Sequence, residues 1–236
     1  MTLPVLETPT YTCTQPSKPQ VKITYRPFLV SEEKVLLMAQ ETGDPITMME
    51  AMKSVIRVCT FGKVDPDKLT SFDLEFLFLK LRIKSVGETA TIVIPCDKCQ
   101  ASIEVDVDLE AVTIDVDTST DTKIQLTPNV GITLKHIDVA SMSTLSNPKL
   151  NKSDAITEAV IASIASIYDS EKVYLPDQVS KAELLTFVNS LNREQMSQIE
   201  TFIAATPKLS HTIECTCPKC KEPNTRVLQG IQSFFG

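Results

Sequence analysis

TIVIPCDKC (residues 91–99) and TIECTCPKC (residues 212–220) decide the fold. Each stretch opens with a Thr-Ile pair of strand type and closes on a Cys-x-x-Cys turn. Cys96 and Cys99 form the first pair, Cys217 and Cys220 the second. A two-residue spacing lets both sulfurs of a tight turn face one ion while backbone N–H groups face the sulfurs. Two such knuckles supply four soft ligands in a tetrahedron, the donor set of a structural Zn2+ site. A constant offset of 121 residues carries Thr91, Ile92, Cys96, Lys98 and Cys99 onto Thr212, Ile213, Cys217, Lys219 and Cys220. The shared flanks make the pair far more specific than one Cys-x-x-Cys alone.

Other chemistries accept the same residues. An iron–sulfur cluster also takes four thiolates. A redox dithiol needs one pair in a thioredoxin-like βαβ setting, rather than two matched ones. A disulfide framework expects a secretory signal, which does not open this sequence, and seven cysteines cannot all pair. Cys215 stands where the first knuckle has Ile94 and reads as a strand residue. Cys13 and Cys59 have no partner at ligand spacing and read as small apolar side chains. A four-cysteine site is closed and leaves no position for a catalytic water, so the expected zinc holds structure and does no chemistry.

With 236 residues, 42% of them hydrophobic, the chain is long enough to bury a core in one domain or two. Its 23 basic residues against 30 acidic ones give a net charge of −7, which argues against nucleic-acid and anionic-membrane binding. No apolar run approaches the roughly 20 residues needed to span a bilayer. The cysteines and the lack of a targeting signal point to a reducing cytosol. Fourteen prolines against six glycines predict stiff connections.

The expected fold class is α+β. An N-terminal extended arm and helices pack on a small antiparallel zinc-ribbon-like β unit, into which a helical segment is inserted. The arm spans 1–30, with a short strand at 21–25 and four prolines in its first 20 residues. Residues 31–86 are helical: 32–41 capped by Ser31, then a helix to about 61 with Thr47 and Glu50 as capping box, then 69–84. The last of these is hydrophobic nearly all round, so it is either buried between layers or awaits a partner. Residues 87–137 with 207–229 make a discontinuous ribbon with strands at 89–95, 101–109, 123–127, 132–137, 209–215 and 225–228. The insertion, 138–206, carries helices at 153–168, 180–191 and 193–205. Residues 230–236 form a tail ending in Phe234 and Phe235, both read as exposed.

No catalytic constellation emerges. The two histidines, His136 and His211, lie in strand patterns with no nucleophile motif beside them, and no phosphate-binding or metalloprotease signature is present. Acidic alternation at 104–108 and at Asp115 and Asp117 hints at calcium. Read as an EF-hand loop, however, it has Thr120 where glycine is required and Leu126 where glutamate is required, so it reads as a solvated strand face. Asp73, Glu75, Lys80, Arg82 and Lys84 read as helix-surface charges.

Four strings carry a family resemblance: ETPTYTCTQPS (7–17), ITYRPFLVSEEKVLLMAQE (23–41), SFDLEFLFLKLRIKSVGE (71–88) and the CDKC knuckle. They resemble the T4-type bacteriophage baseplate proteins, a family that includes hub subunits and hub assembly proteins of contractile-tailed phages. The resemblance runs through residues 4–110, fades over 111–206 and returns at CPKC and the terminal phenylalanines. It implies a non-enzymatic structural or assembly role in the baseplate hub, in the host bacterial cytoplasm during assembly or in the virion tail. The implied partners are other baseplate hub and tail proteins, with no nucleic acid, membrane or small-molecule substrate. Arg26, Pro27, Phe28, Glu32, Glu33 and Lys34 match the family string and by resemblance sit at an arm–helix junction that meets a partner. The alternative gives Glu32 and Glu33 to the helix N-terminus and makes Phe28 a hydrophobic staple. Phe234 and Phe235 are the second expected anchor, so removing 233–236 is expected to spare folding. A zinc-ribbon adaptor docking onto a host or phage enzyme complex is the competing function. Such an adaptor on nucleic acid wants basic residues around the knuckles, where Lys98, Lys219, Lys221 and Arg226 are few and lie beside Asp97 and Glu222.

Overall fold

A computed structural model describes residues 6–114, 122–145 and 151–234. Among them the fold is α+β, with seven α-helices and small antiparallel sheets. In chain order come β1 (Tyr11–Gln15), β2 (Lys18–Tyr25), α1 (Val30–Thr42), α2 (Pro45–Cys59), α3 (Ser71–Val86), β3 (Thr89–Pro95), β4 (Ser102–Asp108) and β5 (Thr113–Ile114). Next are β6 (Lys123–Gln125), β7 (Gly131–Leu134), α4 (Val139–Leu145), α5 (Lys152–Ser163), β8 (Ile164–Tyr168) and β9 (Val173–Tyr174). The chain continues with α6 (Lys181–Asn189), α7 (Arg193–Ala204), β10 (Leu209–Thr216), β11 (Pro223–Gln229) and a closing 3-10 turn, Ile231–Phe234. Two compact units result: the described residues of Met1–Pro66, Phe72–Val116 and Lys208–Gly236, and those of Asp67–Ser71 and Asp117–Pro207.

In the first unit, the stretch expected as an arm with one strand is a two-stranded hairpin, with Tyr11 opposite Tyr25 and Cys13 opposite Ile23. Alternation places Ile23 and Tyr25 inward, both buried. The first helix starts at Val30 and is not capped by Ser31: its N-cap is Leu29, whose N–H donates to the Glu32 carboxylate at 2.7 Å. It stops at Gly43, whose φ of 63° few other residues adopt. Asp44 then caps α2 through the Ile46 and Thr47 N–H groups with Pro45 at the first helical position, which displaces the cap expected from Thr47.

Helix α3 is the buried layer that its all-round hydrophobicity allowed. Phe72, Leu74, Leu77, Phe78, Leu79, Leu81 and Ile83 are all buried, each contributing about 1.5–3 kcal/mol. Its charges are not uniformly surface charges. Asp73 is 1% exposed, and its carboxylate accepts the Ser17 N–H at 2.9 Å, the Gln15 amide at 2.9 Å and the Ser17 hydroxyl. In a helix buried on most sides even a carboxylate goes inside, and the β1–β2 turn supplies the donors that it requires. Lys80 and Lys84 do reach the surface, both pairing with Glu110.

The second unit is a four-stranded antiparallel sheet, β6-β7-β8-β9, with helices against it. Its core gathers Ile132, Leu134, Val160, Ile164, Val188, Ile199 and Phe202. The helix expected over 153–168 ends at Ser163, because Ile164–Tyr168 is β-branched and aromatic and pairs with β7. Gly131 lets that pairing close: a Cβ there would lie 2.3 Å from the Tyr168 hydroxyl oxygen. Strands β6 and β7, expected within the 87–137 ribbon segment, belong to this sheet. Ser180 with Glu183 forms a capping box for α6, and Asn192 with Gln195 does the same for α7.

Candidate functional site

Strands β3 and β4 form one hairpin and β10 and β11 another, each carrying a Cys-x-x-Cys turn at its tip. The offset of 121 holds at every level. Thr91 pairs with Asp106 as Thr212 pairs with Val227, and Pro95 with Ser102 as Thr216 with Pro223. The Cys96 N–H donates to Ala101 O at 2.9 Å, and the Cys217 N–H to Glu222 O at 2.9 Å. The Gln100 N–H donates to Cys96 O at 3.0 Å, and the Lys221 N–H to Cys217 O at 3.0 Å. Gln100 and Lys221 both sit at positive φ, 57° and 59°, which brings the chain out of each knuckle into its second strand.

The four sulfurs meet. All lie within 4.8 Å of one another, with Cys96 Sγ 3.6 Å from Cys220 Sγ and Cys99 Sγ 3.7 Å from Cys217 Sγ. A tetrahedron with metal–sulfur bonds of about 2.3 Å has an S···S edge of about 3.8 Å. A disulfide would be near 2.05 Å, and all seven cysteines are free thiols. Cys96 and Cys217 are buried and Cys99 and Cys220 half-buried. The four residues therefore fit one tetrahedral ion, and the cluster can hold a metal.

The electrostatics suit a cation. N–H groups of Cys99 and Lys98 face the Cys96 sulfur and bring its thiol down to about 6. Those of Cys220 and Lys219 lower Cys217 in the same way. Cys220 accepts the Glu222 N–H, but burial and the neighbouring sulfurs of Cys99, Cys217 and Cys96 push it up to about 12. Four thiolates crowd one another until a cation sits among them.

Side chains of the second hairpin also grip the first knuckle. Asn224 accepts the Asp97 N–H at 2.8 Å, Arg226 donates to the Asp97 carboxylate and to Pro95 O, and Glu222 pairs with Lys98 at 2.8 Å. None of these three was singled out as functional from the sequence. The one local signal is a buried asparagine at a strand position whose mate, 121 residues earlier, is Ile103.

The other expected site residues lie elsewhere. Arg26, Pro27 and Phe28 are half-buried between β2 and α1 and are used internally. The Arg26 guanidinium pairs with Glu32 at 3.3 Å, the Arg26 backbone N–H donates to Cys59 O, and the Phe28 N–H donates to the Ser85 hydroxyl. Burial would raise the Glu32 carboxyl, but Arg26 and the Leu29 N–H hold it below its ordinary value. Phe234 is 1% exposed, a core residue rather than the exposed anchor expected, while Phe235 lies outside the described residues. His136 stacks on Phe202 at 5.1 Å. Of the acidic alternation, Glu104, Asp106 and Asp108 are exposed on β4, and Asp115, Asp117 and Thr120 lie outside the described residues.

A family model described as the T4 bacteriophage base plate protein matches residues 8–236, nearly the whole chain. The chain belongs to that family. No curated protein and no solved structure matches it. The match joins both hairpins and the intervening unit in one baseplate protein, including the stretch over which the string resemblance fades. Membership fits a component of the phage tail that works beside other tail proteins. No helix among the described residues of this baseplate protein is long and apolar enough to cross a membrane.

Proposed function

We propose that this protein is a non-enzymatic structural or assembly component of the baseplate hub, acting through protein–protein contacts and stapled by one structural Zn2+. The convergence of Cys96, Cys99, Cys217 and Cys220 carries the proposal, because its edges match those of a tetrahedral thiolate site. Zinc is favoured over softer or redox-active alternatives by closed four-sulfur ligation on two knuckles with no accompanying redox motif. The ion would cross-link positions more than a hundred residues apart and remove loop entropy from the unfolded chain. All four donors are protein thiols, so the ion would hold structure only.

A baseplate partner needs a surface. The Arg26–Phe28 junction is used internally, whereas the outer face of α1 exposes Val30, Leu37 and Met38, the last 67% exposed. These residues recur at helical spacing on the side opposite the buried Leu36 and Ala39. The occupant of this face is another baseplate protein, which covers the apolar side chains on assembly. The test is complementation of a phage lacking this gene. Wild type should restore sedimenting baseplates and Leu37→Glu/Met38→Glu should not, although it folds and binds metal normally. Complete baseplates formed without the protein would exclude the structural and assembly role.

A further inference from the structure

The two hairpins repeat each other, and the place where they differ is informative. Asn224 in β11 occupies the position that Ile103 holds in β4, and it is 3% exposed. Its Oδ1 accepts the Asp97 N–H at 2.8 Å, and its Nδ2 donates to Glu222 O at 2.8 Å. The amide thus ties the first knuckle to the second from a buried position. In the second knuckle the mate of Asp97 is Pro218, which has no N–H to satisfy. The mate of Asn224 is correspondingly an isoleucine, which offers no acceptor. The other relevant N–H groups face sulfur: Lys98 and Cys99 toward Cys96, Lys219 and Cys220 toward Cys217. The Asp97 N–H is the donor that the first turn has left over, and Asn224 receives it.

We infer that Asn224 is a positioning residue for the four-cysteine site. By accepting the Asp97 N–H it fixes the first turn in the conformation in which the sulfurs converge, a task that proline makes unnecessary on the other side. Arg226 and Glu222 act on the same knuckle through more exposed ion pairs, whose contribution is smaller. The inference rests on the metal reading of the proposed function.

The experiment uses the purified full-length chain with Zn2+ in competition with a chromophoric chelator, and Co2+ as a spectroscopic probe of tetrahedral thiolate ligation. Asn224→Ile strands the Asp97 N–H and should weaken Zn2+ binding about 10–100-fold, the usual effect of losing an outer-shell partner. Asn224→Ala carries the same expectation if the isoleucine variant does not fold. Asp97→Pro/Asn224→Ile installs the pair found on the other hairpin and should recover most of the lost affinity and the wild-type Co2+ spectrum. Phe234→Ala, a core lesion outside the knuckles, should leave both readouts unchanged in the folded protein. Wild-type affinity in Asn224→Ile or Asn224→Ala overturns the positioning role alone, as does a double variant that binds as weakly as the single one. A wild-type protein that takes up no Zn2+ overturns the metal reading and this inference with it.

Discussion

Phe234 offers the sharpest test of the packing. Phe234 and Phe235 stand side by side just before Gly236, which invites the view that they dangle and grasp a partner. Yet Phe234 is 1% exposed, in a 3-10 turn held by the Glu75 carboxylate accepting the Ile231 N–H and by the Ser233 N–H donating to Gly230 O. Truncation to alanine removes a fully buried aromatic ring and leaves a cavity, which costs about 3–5 kcal/mol. For a chain of this size about 2–4 °C is lost per kcal/mol, so Phe234→Ala should melt roughly 6–20 °C below wild type. Met38→Ala, at an exposed position, should change stability by no more than about 0.5 kcal/mol. Thermal and urea unfolding of the two variants side by side give the comparison. If Phe234→Ala melts with wild type but assembles poorly, the residue is an anchor after all and the core assignment is wrong.

Other outcomes follow from the same geometry. Cys96→Ser removes one of four ligands; wild type at free zinc about 1,000-fold above Kd should lose about 4 kcal/mol in chelator, and the variant should lose almost nothing further. Equal melting of treated and untreated wild type would contradict the staple. Burial raises the Glu75 carboxyl above its ordinary value near 4.5. Its folded form therefore holds the proton more tightly than the unfolded chain does, and the associated stability is lost as pH rises through the raised value. Glu75→Gln, which can still accept the Ile231 N–H, should flatten that fall and melt no lower than wild type at pH 8; a steeper decline would refute it. Asp73→Ala strands the donors of the Gln15–Ser17 turn and should cost about 1.5–3 kcal/mol in urea unfolding, whereas a neutral result would mean that the turn is solvated instead.

The knuckles were legible because metal ligation is written locally, as two cysteines at fixed spacing, and the repeat offset marked them as partners. Strands β3, β4, β10 and β11 were legible from alternation. Errors arose where a distant element supplies the deciding contact. Asp73 looks like a surface charge until the β1–β2 turn brings three donors to it. Ser31 was a plausible cap, but Glu32, fixed by Arg26, reaches the Leu29 N–H one turn earlier. The segment after Ser163 follows α5 without a turn residue to mark the break, and β7 offers it a sheet edge that only the tertiary fold reveals. Asn224 carries no signal in isolation; it becomes legible once the two hairpins are superposed in register and Pro218 is seen opposite Asp97.

The most direct measurement is the metal content of the purified full-length protein by elemental analysis, with thiol titration on the same sample. One zinc per chain, absent from Cys96→Ser, with four thiols that react only once a chelator has been added, is the predicted result. No metal, with thiol reactivity unchanged by the chelator, or iron in place of zinc, would contradict it.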